Sequence, residues 1–242
     1  MIRKRTIKDN FQKLLGRKQV SKEELPLYFY VEEKADLVAS DISKVINASD
    51  SDEGGIIFVE GPKNSGKTLT ALRLIKLISK KRKLVCAQPK LDRPDVCDGY
   101  FYSRSGIKKE VISFATAKEI KEIFDENDVV LVDEVMFIPY ELQGLFMREA
   151  ESFAERGGWF VGFGLLWTGQ KSEFLISALL LERAKKAYRL TATCQKCGRR
   201  NAVIGQRLVE GRPPQLGDPE ILPPSEKVTY EPRCWDCFVV FS

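Results

Sequence analysis

The amino-acid sequence predicts an α/β fold: a parallel sheet with helices on both faces, followed by a small cysteine-rich unit. Three observations predict it. From Ile56 onward, short apolar runs alternate with helical stretches, and strands apolar throughout belong in a parallel sheet covered on both sides. A glycine-containing loop at residues 61–68 sits between the first such run and the first helical stretch. After about Thr191 two C-x2-C pairs frame a proline-rich stretch. The expected domains are an extension over 1–52, an α/β domain over 53–190 and a cysteine-rich unit over 191–242.

In chain order, residues 1–18 hold seven basic residues (Arg3, Lys4, Arg5, Lys8, Lys13, Arg17, Lys18) against one acid, Asp9, which exceeds the chain's net charge of +5. The remaining body is therefore close to neutral. Nucleic acid is expected to meet this chain only through the basic arm, whose plain alternative is a solvated, partly helical tail. Phe11, Leu14 and Leu15 suggest a short amphipathic helix, and residues 21–24 fit a capping box. Pro26 limits the next helix or marks a turn. Residues 32–47 place Leu37, Ile42, Val45 and Ile46 near helical spacing, and residues 49–55 read as a linker. Strands are expected at 56–59, 84–87, 129–132 and 159–163, with helices at 68–79, 115–124, 141–155 and 174–186. Residues 88–114 read as a connection containing a hairpin. Pro213, Pro214, Pro219, Pro223 and Pro224, with Gly211 and Gly217, make the stretch between the cysteine pairs a long loop.

Composition excludes whole classes of chemistry. The 242 residues contain no histidine, so no imidazole serves as base, nucleophile or metal ligand. Any metal must be held by cysteine or carboxylate. No apolar run approaches the ~18 residues of a membrane span. The N-terminus lacks the apolar segment of a secretory signal, so a cytoplasmic protein without membrane partners is expected. Six cysteines in that setting point to metal or thiol chemistry rather than disulfides.

Gly61-Pro62-Lys63-Asn64-Ser65-Gly66-Lys67-Thr68 satisfies G-x-x-x-x-G-K-[ST] and lies between a strand and a helix, the context this phosphate-binding loop requires. The loop makes the expected sheet one of P-loop NTPase type. Its backbone N–H groups would form an anion nest at a helix start. Lys67 would neutralise β- and γ-phosphate oxygens, and the Thr68 hydroxyl would ligate Mg2+. At the end of the run 129–132, Asp133 would hold the same Mg2+. Glu134 beside it could take a proton from an attacking hydroxyl or water. These motifs imply ATP (or GTP) with Mg2+ and leave the acceptor open.

Cys194 and Cys197, then Cys234 and Cys237, are separated by 36 residues. Four thiolates with no open position make a structural Zn2+ site, so the unit reads as a zinc ribbon whose metal would staple the base of a lasso-like loop. Cys86 and Cys97 lack such partners and read as core or loop thiols.

Together these blocks resemble the type II thymidine kinase family, zinc-containing P-loop nucleoside kinases. The residues that carry the resemblance are GPKNSGKT (61–68; family GPMFSGKT), DEVMF (133–137; family DEAQF), GLLWTGQKSEF (164–174) with RLTATCQKCGRRNAVIGQRL (189–208), and YEPRCWDC (230–237; family KYEARC). The resemblance covers roughly 55–242. It implies ATP-dependent phosphorylation of the thymidine 5′-hydroxyl, with Glu134 as base and Gly61 to Thr68 and Asp133 at ATP and magnesium. It also implies Cys194, Cys197, Cys234 and Cys237 on zinc, Tyr230 in the lasso, and Phe137 and Phe174 near the base pocket. Lasso backbone at 221–227 would read the pyrimidine edge, and the family implies a homotetramer.

This sequence departs from the family around the base: Lys63 and Asn64 for Met-Phe, Met136 for Gln, Leu166 for Asp, Gly169 for an aromatic, and Pro223-Pro224 near a Gly-Gly. Trp167 could supply a replacement ring. The leading expectation is a kinase for thymidine or a related deoxynucleoside. The alternative is a P-loop ATPase with a structural zinc site acting on a protein or nucleic acid. A third reading is a binding module without activity, against which the intact Lys67, Thr68, Asp133 and Glu134 argue.

Overall fold

The computed structural model describes residues 25–50, 52–91, 99–103, 106–215, 217–219, 222, 225 and 227–240. The basic arm, the expected helix around Phe11, Leu14 and Leu15, the capping box at 21–24, Cys97, Ile221, Pro223 and Pro224 lie outside them. In chain order the elements are α1 (Leu25–Ala48), β1 (Gly55–Glu60), α2 (Lys67–Leu77), β2 (Leu84–Pro89), β3 (Tyr100–Tyr102), β4 (Lys108–Glu110) and β5 (Ile112–Phe114). Then follow α3 (Ala117–Phe124), β6 (Val129–Val132), α4 (Tyr140–Glu155), β7 (Trp159–Gly164), α5 (Leu175–Arg183), β8 (Lys186–Arg189), β9 (Ile204–Val209) and β10 (Val228–Arg233).

Six strands form one sheet in the order β5-β2-β6-β7-β1-β8, with every pairing parallel. Alternation along β1 explains the two covered faces. Ile56 and Phe58 enter one core with α3, α4 and α5. Ile57 and Val59 enter the other with α1 and α2. The core on the first face is aromatic, with Phe146 stacked on Phe114 and edge-on to Phe124 and Phe160. α3 starts on a full capping box in which Thr116 and Glu119 satisfy each other's backbone N–H.

Several element-level expectations change. α1 packs into the α/β core: its Ala39, Ile42 and Ile46 are buried with Ala71, Leu72 and Leu74 of α2. Pro26 does not end that helix; it lies in its first turn, where its missing N–H costs no hydrogen bond. The buried stripe runs Ala35, Ala39, Ile42, Ile46, and Leu37 faces out at 64% exposure. The expected helix 174–186 stops at Arg183, and Lys186–Arg189 becomes the edge strand β8. There Lys186 and Tyr188 both donate to Asp41 of α1 at 2.6 Å. The connection at 88–114 holds the expected hairpin, β3 with β4, and adds β5 to the sheet edge.

The C-terminal unit is an antiparallel pair, β9 with β10, over a small core of Ala192, Ala202, Cys194, Cys234 and Cys237. Such a core is too small to hold a fold alone. Trp167 packs edge-on against Trp235 at 5.2 Å between ring centroids, joining the α/β domain to this unit. The far end of α1 is pinned by Ser49, which accepts from Trp159 Nε1 at 2.8 Å and from Arg82 at 2.9 Å.

Since Ile42 is fully buried between α1 and the sheet, Ile42→Ala is expected to cost about 2–4 kcal/mol of stability, read from urea unfolding. A cost below about 0.5 kcal/mol would show that α1 is not part of the core.

Candidate active site

The site lies at the C-terminal ends of the strands. Backbone pairing continues past them: Gly61 N–H to Gly164 C=O at 3.3 Å, Asp133 N–H to Ala87 C=O at 3.1 Å, and Leu190 N–H to Glu60 C=O at 2.8 Å. The segments following β1, β6 and β8 are thereby held along one edge.

The loop 61–68 turns sharply there. Asn64 and Gly66 have φ of 69° and 96°, and only glycine adopts the second without strain. A Cβ on Gly61 would lie 2.5 Å from Ser65 Oγ, so the turn closes only around a bare Cα. Lys67 is buried, and its ammonium donates to the carbonyls of Gly61 (2.7 Å) and Pro62 (3.1 Å). Burial pushes its pKa down, while Glu134, Asp133 and Glu60 hold its charge. Ser65 Oγ and Asn64 Oδ1 are buried in the loop and, among the described residues, have no hydrogen-bond partner. Such atoms suit a bound polar ligand.

The structure brings the two motifs together. Thr68 Oγ1 donates to Asp133 Oδ2 at 2.6 Å, and Asp133 Oδ1 accepts from the Glu134 N–H at 2.9 Å. Asp133 is almost fully buried. Burial pushes its carboxyl up, opposed by the Thr68 hydroxyl, the Lys67 charge and the Glu134 N–H. A hydroxyl and a carboxylate beside a phosphate loop are hard oxygen donors that fit Mg2+. Glu134 sits at φ 57°, an uncommon conformation for a residue with a side chain and one found at working sites.

The expected base-pocket residues are partly assembled. Phe137 is in the turn after Glu134, and Phe174 caps α5, which packs on that turn. Met136 is buried, its sulfur accepting from the Leu165 N–H at 3.5 Å, and Leu166 is buried beside it. Gly169 stands against Arg207: a Cβ there would lie 3.0 Å from the Arg207 Cβ, so any side chain at this position would press on Arg207. Trp167 packs edge-on against Trp235. The Tyr230 hydroxyl donates to the Leu222 carbonyl at 2.6 Å and accepts from its N–H at 3.2 Å, which ties the connection back onto β10.

Sequence reasoning missed two groups. Glu60, the buried last residue of β1, pairs with Arg189 and faces Lys67; an acid ending an apolar strand was the available signal. Arg207 has no exposed surface and donates to the Pro219 carbonyl and to Asp218. With Gln170, which donates to the Asp218 carbonyl at 2.5 Å, it holds Asp218 and Pro219 in place. No local sequence pattern announces a buried arginine.

All four expected cysteine ligands converge, with their sulfurs within 4.8 Å of one another. Cys197 and Cys234 are 3.8 Å apart, too far for the ~2.05 Å of a disulfide and close to the ~3.8 Å edge of a tetrahedron with Zn–S bonds of ~2.3 Å. Arg199 donates to the Cys197 sulfur at 3.4 Å and lowers that thiol's pKa to about 6, favouring the thiolate a metal needs. Cys86 is buried and pushed up to about 12, an inert core thiol. No helix among the described residues is long and apolar enough to cross a membrane.

A family model described as thymidine kinase matches residues 54–238. Among solved structures the chain is similar to a Pif1 helicase from Candida albicans, at 12% identity over 63% of this chain and 39% of that one, with a TM-score of 0.39. It is similar to a DNA replication initiation factor at 11% identity over 73% and 48%, TM-score 0.35. A RuvB protein of Thermotoga maritima matches at 15% identity over 71% and 46%, TM-score 0.37. The chain spans less than half the length of these three structures.

Thr68→Val removes the hydroxyl that satisfies a buried carboxylate. It is expected to destabilise the nucleotide-free protein by about 1–3 kcal/mol in denaturant titrations; an unchanged midpoint would mean the contact contributes nothing to the fold.

Proposed function

The chain belongs to the thymidine kinase family, and from that premise we propose that it transfers the γ-phosphoryl group of ATP to the 5′-hydroxyl of thymidine or a related deoxynucleoside. The observation that carries the reading is the junction of the phosphate loop with the acid pair, Thr68 on Asp133 at 2.6 Å with Glu134 next in the chain.

The roles follow from chemistry. The N–H groups of Gly61 to Thr68 (with Pro62 contributing none) cradle the phosphates, and Lys67 leaves its carbonyl partners to neutralise them. Thr68 and Asp133 would hold the magnesium ion, which when bound neutralises charge on the triphosphate. Glu134 orients the acceptor hydroxyl and takes its proton as the acceptor oxygen bonds to the γ-phosphorus and the bond from that phosphorus to the β,γ-bridging oxygen breaks, releasing ADP. Tyr230 and the 210–227 connection cover the acceptor and exclude water, with Phe137 and Phe174 along the base. Asn64, Met136, Leu166 and Gly169 stand where the resemblance expects other side chains, so the acceptor base is read by a rewritten pocket. Cys194, Cys197, Cys234 and Cys237 hold zinc as a structural staple. A cytoplasmic homo-oligomer, a tetramer by the same resemblance, completes the proposal.

The test is Mg-ATP-dependent phosphorylation across thymidine, deoxyuridine, deoxycytidine and the purine deoxynucleosides, with a control lacking nucleoside. A 5′-monophosphate product supports the kinase. ATP hydrolysis in the control with no nucleotide product overturns it. Glu134→Gln should bind ATP normally and lose about 10²-fold or more in kcat; full transfer by this variant removes Glu134 from the role of base. Metal analysis should find about one zinc per chain, and its chelation should lower Tm. A metal-free chain with unchanged Tm would exclude the staple.

A further inference from the structure

The start of α1 lies outside the residues that match the family, yet it meets the phosphate loop directly. Val31 Cγ1 would lie 2.9 Å from a Cβ on Gly66. At the other end of the loop the Leu190 carbonyl would lie 2.6 Å from a Cβ on Gly61. The residues next to these two, Tyr30 and Thr191, are joined through their hydroxyls at 3.3 Å. Lys34, one turn along α1, donates to the same Thr191 oxygen at 2.9 Å, and its ammonium lies 4.7 Å from the Tyr30 ring centroid. The Arg200 guanidinium lies over that ring as well, at 4.8 Å. Two cations thus share one phenol ring, and among the described residues neither forms an ion pair with a carboxylate. A ring with cationic partners, beside a phosphate loop and short of counter-charge, suits the nucleoside end of an anionic nucleotide.

The sheet order says which end. β1 lies between β7 and β8. Asp133 and Glu134 follow β6, on the β7 side; Thr191 follows β8, on the opposite side. A triphosphate lying in the loop with its γ-phosphate toward Asp133 has its sugar and base toward β8.

We infer that Tyr30, Lys34, Thr191 and Arg200 form the seat for the base and sugar of the phosphate donor, so that a helix outside the family match completes the nucleotide site. The inference rests on the kinase reading for the direction in which the donor lies. The exposed Arg200 guanidinium, backed by the Tyr30 ring, offers a flat face for a purine, and Lys34 with the Thr191 hydroxyl offers donors to the sugar and nearest phosphate.

The test is calorimetric binding of Mg-ATP and of magnesium tripolyphosphate, which has no base, to the full chain and to Tyr30→Ala and Arg200→Ala. Each variant should weaken ATP by roughly tenfold, the scale of one lost base stack, and leave tripolyphosphate unchanged. Equal weakening of both ligands overturns the inference, because the cluster then only braces the loop. Unchanged ATP affinity in both variants also overturns it. Arg200 is exposed, so Arg200→Ala carries the test should Tyr30→Ala lower Tm. Failure of the unaltered chain to bind ATP would defeat the kinase reading itself, and the inference with it. ATP binding without deoxynucleoside phosphorylation leaves this test intact.

Discussion

The hydrogen bond from Thr68 to Asp133 joins two parts of the chain 65 residues apart, and the site depends on it. Thr68 opens α2, and Asp133 is the first residue past β6, so the bond forms only when β1 and β6 lie in their places in the sheet with β7 between them. The carboxylate is buried, and without the hydroxyl, the ammonium of Lys67 and the Glu134 N–H its charge would be costly. The same groups that make burial tolerable are those a nucleotide and its metal would engage. Stability and chemistry therefore draw on one set of atoms.

The extension changes how the domain is built. α1 contributes apolar side chains to the core over β1 and α2, braces Gly66 through Val31, and holds β8 through Asp41. Glu60, Arg189, Thr191 and Tyr30 then form a rim around the phosphate loop on the β8 side. The cysteine unit is docked on the α/β domain through Trp167 on Trp235 and through Arg207 behind Gly169.

Much of this was legible in the sequence because the signals were local. The phosphate loop carries its own pattern, the strands 129–132 and 159–163 are continuous apolar runs, and paired cysteines at knuckle spacing announce their convergence. The parts that were not legible depend on distant partners. Lys186–Arg189 has the composition of a helix end and becomes a strand because β1 offers an edge and Asp41 receives Lys186 and Tyr188. Leu37 fits a helical stripe as well as Ala35 does, and only the position of α2 decides which is covered. β9 and β10 are short strands beside a proline-rich connection, with no periodicity to mark them. Arg207 reads as a surface charge until Asp218 and Pro219 fold over it.

The bond between Asp41 and Lys186 spans 145 positions. Chains are made from the N-terminus, so α1 is synthesised well before β8 and waits for it until most of the domain has been made. Through that interval its stripe of Ala39, Ile42 and Ile46 has α2 to pack against but no edge strand to close over. The contact of Asp41 with the edge strand is therefore among the last to form as the domain is made.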